Sequence, residues 1–147
     1  MPQGDISLEI RTLSNLIRRD IEKSCAAKGD QSGKGVQGWA IDYFYENRGQ
    51  DVFQKDFEER FSIRRSTASN ILKSMEKAGY IERMSVAYDA RLKKIVLTDR
   101  AVHLHEEIAH NIRLREQRLR RGLTESEIDA FFAVMKKLEA NMEEEHD

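Results

Sequence analysis

Ile6, Ile10, Leu13, Ile17 and Ile21 recur at steps of four, three, four and four residues. That spacing marks one face of a helix and predicts an amphipathic helix from Ile6 to about Ala27. A polar, glycine-rich run from Lys28 to Gly38 interrupts it and reads as a loop. Val36, Trp39, Ala40, Tyr43 and Phe44 then mark a second helix face, which stops near Asn47, Arg48 and Gly49. A short third helix, Gln54 to Phe61, carries Phe57 and Phe61 on one side. In a fourth, Ala68, Ile71, Leu72 and Met75 stand at i, i+3, i+4 and i+7 and form the expected buried face.

Beyond Gly79 the period changes. Ile81–Val86 and Lys93–Thr98 read as two short strands, joined by Ala87–Leu92, a loop longer than the tightest hairpin turns. Thr98 is placed to cap a fifth helix bearing Leu104, Ile108 and Ile112, with Gly122 at its end. Thr124 and Glu127 form a T-x-x-E capping box. It opens a sixth helix with the stripe Ile128, Phe131, Phe132, Met135, Leu138 and Met142. The expected fold is mainly α with a small β-hairpin, organised as one domain over residues 1–147.

The polar side of the fourth helix is unusual. Arg64, Arg65, Ser66, Thr67, Ser69 and Asn70 open it, where alanine, glutamate and lysine would be better helix formers. Ser66, Asn70, Lys73 and Lys77 share the face opposite the apolar stripe. Short hydroxyls and amides let a helix sit deep in a DNA major groove and read base edges, while arginine and lysine meet guanine or phosphate. The third helix packed across the fourth, with Ser62 and Ile63 as the turn, predicts a helix-turn-helix. The hairpin after it makes a winged helix. Arg91 is expected at the wing tip, where a narrow minor groove attracts arginine, with Lys93 beside it. Asp89 is expected to pair with Arg91 and hold the loop.

Charge agrees with this reading. The chain of 147 residues has a net charge of −1, but the window from Arg60 to Lys94 holds nine positive and three negative residues, a local balance of +6. The C-terminus is acidic. No stretch approaches the roughly 18 apolar residues of a membrane span. The N-terminus lacks the pattern of a secretory signal. A single cysteine, Cys25, cannot form an internal disulfide. A cytoplasmic protein is expected. No G-x-S-x-G, H-E-x-x-H, P-loop or C-x-x-C occurs, so nothing points to an enzyme.

Two segments, residues 54–83 (QKDFEERFSIRRSTASNILKSMEKAGYIER) and 89–98 (DARLKKIVLT), resemble the MarR (multiple antibiotic resistance regulator) family of bacterial transcription factors. The wing pattern is carried by Asp89, Arg91, Ile95, Leu97 and Thr98. The resemblance implies a winged helix-turn-helix over residues 34–98 and dimerisation helices over 5–27 and 99–146. It further implies a homodimer that binds double-stranded DNA at a near-palindromic operator, acting as a repressor and released by a small aromatic or phenolic effector. By the same resemblance the second helix borders an effector pocket, here Ile17, Ile21, Cys25, Trp39 and Tyr43. Ala101 stands where the family often has glycine.

Other chemistry has weaker support. Some relatives sense peroxide through an N-terminal cysteine, a role for Cys25 that would need a lowered pKa and solvent access. Glu106 and His110 stand at i, i+4 on the helix that also carries His103 and His105, a spacing that suits two metal ligands. The second helix begins without a histidine to complete such a set, so no metal and no cofactor are expected. A winged helix that docks only to protein would explain the fold, but neither the +6 window nor the polar face.

Overall fold

The structure, a computed structural model, describes residues 4–26 and 36–144, and of Cys25 and Ala26 the backbone alone. The chain divides into two units, one ending at Asn111 and one beginning at Ile112. The first contains α1 (Ile6–Ala26), α2 (Gln37–Glu46), α3 (Gln54–Phe61), α4 (Arg65–Lys77), β1 (Ile81–Val86), β2 (Asp89–Leu97) and the start of α5 (Asp99–Arg120). The second contains the end of α5 and all of α6 (Glu125–Glu143). Among the described residues, six helices and one antiparallel hairpin make the expected winged helix-turn-helix architecture. Among the described residues no helix is long and apolar enough to cross a membrane.

The first unit closes around a continuous core. Ala40, Ile41 and Phe44 of α2, Phe57 of α3, and Ala68, Leu72 and Met75 of α4 are buried, as are Tyr80, Ile81, Ile95, Ala101 and Ile108. Phe57 packs against Phe44 at 5.5 Å and Phe61 at 5.1 Å between ring centroids. Burying one such aromatic side chain contributes about 1.5–3 kcal/mol. The apolar stripe on α4 therefore predicted its buried face, with Ile71 at the half-buried rim. The face expected for α2 is rotated. Ile41 is fully buried, while Trp39 is 37% exposed and Val36 and Tyr43 are half-buried. The core wraps α2 on the Ala40–Ile41 side, so its burial does not follow the aromatic spacing. Helix α2 also takes in Gln37 and Gly38, which the sequence pattern places in the loop; residues 28–35 of that loop, and Ala27 at the expected end of the first helix, lie outside the described residues.

Helices α3 and α4 end in the same way. After α4, Gly79 adopts φ +81°, and the Tyr80 N–H reaches the Met75 carbonyl at 2.9 Å. After α3, Ser62 takes the left-handed position with φ +49°, and the Ile63 N–H reaches the Glu58 carbonyl at 3.1 Å. Ser62 is the sole non-glycine residue with positive φ among the described residues. The expected turn at Ser62 and Ile63 is thus a helix cap in which a serine carries strain that glycine would avoid.

The hairpin differs from expectation at its tip. The turn is Ala87–Tyr88 alone, and β2 already begins at Asp89. Pairing runs from Ile81↔Leu97 to Ser85↔Lys93, then jumps to Val86↔Asp89, so Ala90, Arg91 and Leu92 form a bulge. Local bonding explains it. The Asp89 carboxylate accepts the Arg91 backbone N–H at 2.9 Å and two guanidinium N–H groups at 3.2 Å each. The extra residues therefore loop out of the strand instead of lengthening the turn.

Thr98 caps α5 as expected: its Oγ1 accepts the Ala101 N–H at 3.3 Å and donates to the Gly79 carbonyl at 2.6 Å. Ala101 is fully buried, so the methyl group that replaces the family's glycine is accommodated. In the second unit Gly122 takes φ +81° just beyond α5. The capping box is complete: Glu127 N–H to Thr124 Oγ1 at 3.1 Å, and Thr124 N–H to the Glu127 carboxylate at 3.0 Å. The bond from the Thr124 N–H, then its hydroxyl, holds the Glu127 carboxyl below the usual carboxylate range. No residue of α6 is buried. Phe131, Phe132, Val134 and Met142 are exposed.

Candidate nucleic-acid interface

Helix α4 presents its two faces as the sequence divides them. Arg64, Arg65, Ser66, Thr67, Asn70, Lys73 and Lys77 are exposed, while Ala68, Leu72 and Met75 are fully buried behind them. Ser66, Asn70, Lys73 and Lys77 form one stripe along the helix. Ser69 stands apart from this set. It is half-buried, and its hydroxyl accepts a bond from Gln54 Nε2 at 2.9 Å.

Gln54 is a residue that the sequence reading missed. From the first turn of α3 its amide also donates to the Arg65 carbonyl at 3.4 Å, and its Oε1 accepts from Arg83 Nη1 of β1 at 3.2 Å. Arg83 in turn lies 3.6 Å from the Glu76 carboxylate. One amide thus joins α3, α4 and the wing. Gln37 adds a second tie, from α2 to Ser74 of α4 at 3.2 Å. These partners lie 11 to 37 residues apart in the chain, and no local pattern announces them.

On the wing, Arg91 is not at the turn but in the bulge beside it, with its side chain 90% exposed. The expected Asp89–Arg91 pair is present, and bonds from the Arg91 side chain, then from its backbone, hold the Asp89 carboxyl below the usual range. The Lys93 ammonium donates to Ser85 Oγ at 2.7 Å across the strands. Exposed basic groups therefore stand on two neighbouring elements of one unit, an arrangement suited to a polyanion.

The five residues expected to line an effector pocket stand in different settings. Ile21 is buried, Ile17 half-buried and Trp39 exposed. The Tyr43 ring joins the aromatic cluster of the helix-turn-helix, edge-on to Phe61 at 5.8 Å. Desolvation, then the nearby Asp56 carboxylate, raises its phenol pKa. The side chain of Cys25 lies outside the described residues. An open cleft of about 470 Å³ lies elsewhere, lined in part by Phe44, Asn47, Val52, Ile95, Leu97 and Val102.

The histidines of α5 also pair differently from the sequence spacing. His105 is buried, with Nε2 at 2.9 Å from Asp42 of α2, and its ring stacks on Tyr45 at 3.6 Å. Arg48 lies over the Tyr45 ring at 3.7 Å. Donor atoms of Asp42, Glu46 and His105 lie within 4.8 Å of one another. The His105–Asp42 bond ties α2 to α5. His103 Nδ1 lies 2.7 Å from the Asp99 carbonyl of its own helix.

Residues 34–92 match the MarR family profile. No curated protein sequence matches the chain. Among solved structures, the transcription regulator MarR from Oenococcus oeni PSU-1 is 26% identical, with a TM-score of 0.72, covering 90% of this chain and 94% of that one. Heme-free PefR is also 26% identical, with a TM-score of 0.72, covering 93% of this chain and 99% of that one. MepR from S. aureus, in a complex with DNA, is 22% identical, with a TM-score of 0.85, covering 97% of this chain and 100% of that one. The resemblance read from the sequence is supported: residues 34–92 match the MarR family model, and along nearly its whole length the chain has the fold seen in solved MarR-type transcription regulators.

Proposed function

We propose that the protein is a sequence-specific DNA-binding transcription regulator that works as a homodimer. The observation that carries this reading is the exposed polar stripe of α4, set on a fully buried apolar face and flanked by a wing with an extended arginine. Arg65 and Asn70 suit guanine and adenine edges, and Lys73 and Lys77 suit phosphate. MepR, which shares the fold, has been captured on DNA. The exposed apolar residues of α1 (Ile6, Leu8, Ile10, Leu13, Leu16) and of α6 give a second copy a surface to cover.

Two copies related by a two-fold axis would read a near-palindrome with half-sites about one helical turn, ~10 bp, apart. Repression, relieved by a small aromatic effector, is the mode that the family resemblance supplies. Trp39, exposed on α2, offers such a ligand a surface for stacking. The test is a salt titration of binding to duplexes selected from a randomised pool, with sedimentation of the free protein. A regulator of this kind shows log K falling steeply with log salt and sediments as a dimer. A flat salt dependence, or no selected motif, would refute it.

A further inference from the structure

Asp51, in the segment before α3, touches the wing at its turn and at β2. Its Oδ2 accepts the Tyr88 hydroxyl at 3.0 Å, at the hairpin turn, and its Oδ1 lies 3.5 Å from the Lys94 ammonium of β2. The next residue adds a backbone tie, Ile95 N–H to the Val52 carbonyl at 2.7 Å. Two residues further on, Gln54 holds Ser69 of α4 and Arg83 of β1. A stretch of four residues therefore anchors both the recognition helix and the wing. Tyr88 sits at the exposed tip of the wing. It is 67% exposed, and burial in the core does not fix its ring; the bond to Asp51 does.

We propose that Asp51 is a positioning residue for DNA binding, which pins the wing through Tyr88 and Lys94 and so fixes the reach of Arg91 relative to α4. The proposal rests on the DNA-binding reading above. Its physical basis is that an arginine entering a minor groove must arrive in register with a helix in the adjacent major groove. The Asp89–Arg91 link shapes the bulge locally but leaves the whole hairpin free to swing. Asp51 contacts the hairpin near the turn, where a given restraint limits swing most. Desolvation, then the bond to Asp51, raises the Tyr88 phenol pKa above its ordinary value.

The experiment uses the full chain and a duplex selected by the unaltered protein. Affinity is measured at fixed salt for Asp51→Ala, Asp51→Asn, Tyr88→Phe and Arg91→Ala, and for Asp51→Ala combined with Arg91→Ala. Backbone footprints and thermal unfolding accompany each. Asp51→Ala should weaken specific binding about tenfold and cost nothing further in the Arg91→Ala background, because both act through the wing. The lost protection should be confined to the flank facing the wing. Asp51→Asn, which keeps an acceptor for Tyr88, should retain most of the affinity. If Asp51→Ala does not fold, Tyr88→Phe removes only the hydroxyl and completes the same cycle with Arg91→Ala.

Additive losses would overturn the proposal, since they would mean that Asp51 acts away from the wing. Weak binding by Arg91→Ala with unchanged binding by both Asp51→Ala and Tyr88→Phe would overturn the brace and leave the DNA-binding reading standing. No effect of Arg91→Ala would remove the wing from the interface and the proposal with it.

Discussion

The helix-turn-helix and α6 use similar amounts of apolar side chain to opposite ends. In the first, Phe57, Leu72 and Met75 are completely buried, and their neighbours' polar groups are tied by Gln54 and Asp56. In α6, Phe131 and Phe132 meet edge to face at 5.4 Å, yet each remains about half exposed, and no residue of the helix is buried. Sequence periodicity cannot distinguish these cases, because both helices carry a clean stripe. One stripe finds its partner within the chain, and the other is available to a second copy.

Paired substitutions sharpen that contrast. Phe57→Ala should cost about 3–5 kcal/mol of unfolding free energy, measured by denaturant titration. Phe132→Glu should leave the helix-turn-helix folded, by amide exchange, but give a monomer by sedimentation. A Phe132→Glu chain that remains dimeric would show that α6 does not form the interface.

Within the DNA-facing stripe the effects should be smaller and of two kinds. Asn70→Ala should relax preference at one position per half-site, at about 1–3 kcal/mol, while non-specific binding hardly changes. Lys77→Ala should weaken binding to every sequence and flatten the salt slope by about one per site. Selection on randomised duplexes scores both; an intact motif for Asn70→Ala would mean that α4 turns another face to DNA.

Ser62→Gly should stabilise the chain by roughly 0.5–1 kcal/mol, the relief of left-handed strain (about 1–2) less the entropy of a glycine (about 0.5–1). Thermal unfolding would detect it. The smallest effect concerns pH. Because the Asp89 carboxyl is held below its ordinary value, its contribution to the bulge is present above about pH 4 and is lost as pH falls through the lowered value. The Arg91 amide resonance should follow that transition, and Asp89→Asn should abolish it.

How much of this was legible depends on the range of the interaction. Helix positions, the α4 burial pattern, the Thr98 cap and the Thr124–Glu127 box all follow from residues within a turn or two of one another, so the sequence displays them. The Asp89–Arg91 pair was legible for the same reason. The bulge was not, because a three-residue register jump shows only when both strands are in place. Gln54, Asp51 and the His105–Asp42 bond join residues 11 to 63 apart, and single polar residues carry no periodic signal. The effector residues came from family architecture. The contact of Tyr43 with Phe61 was not legible either, since it depends on how α3 crosses α2.

The bulge also bears on the order of folding. The Asp89–Arg91 link spans two residues, so it can form in the unfolded chain at little entropic cost and bend the wing before its strands pair. Hairpin closure follows on a scale of about 1–10 μs. The contacts that attach the wing to residues 51–54 span 29 to 43 residues, and must wait for larger loops to close. The wing is thus shaped early and docked late. Changes at Asp89 should therefore act mainly on the folding rate, whereas changes at Tyr88 should act mainly on unfolding.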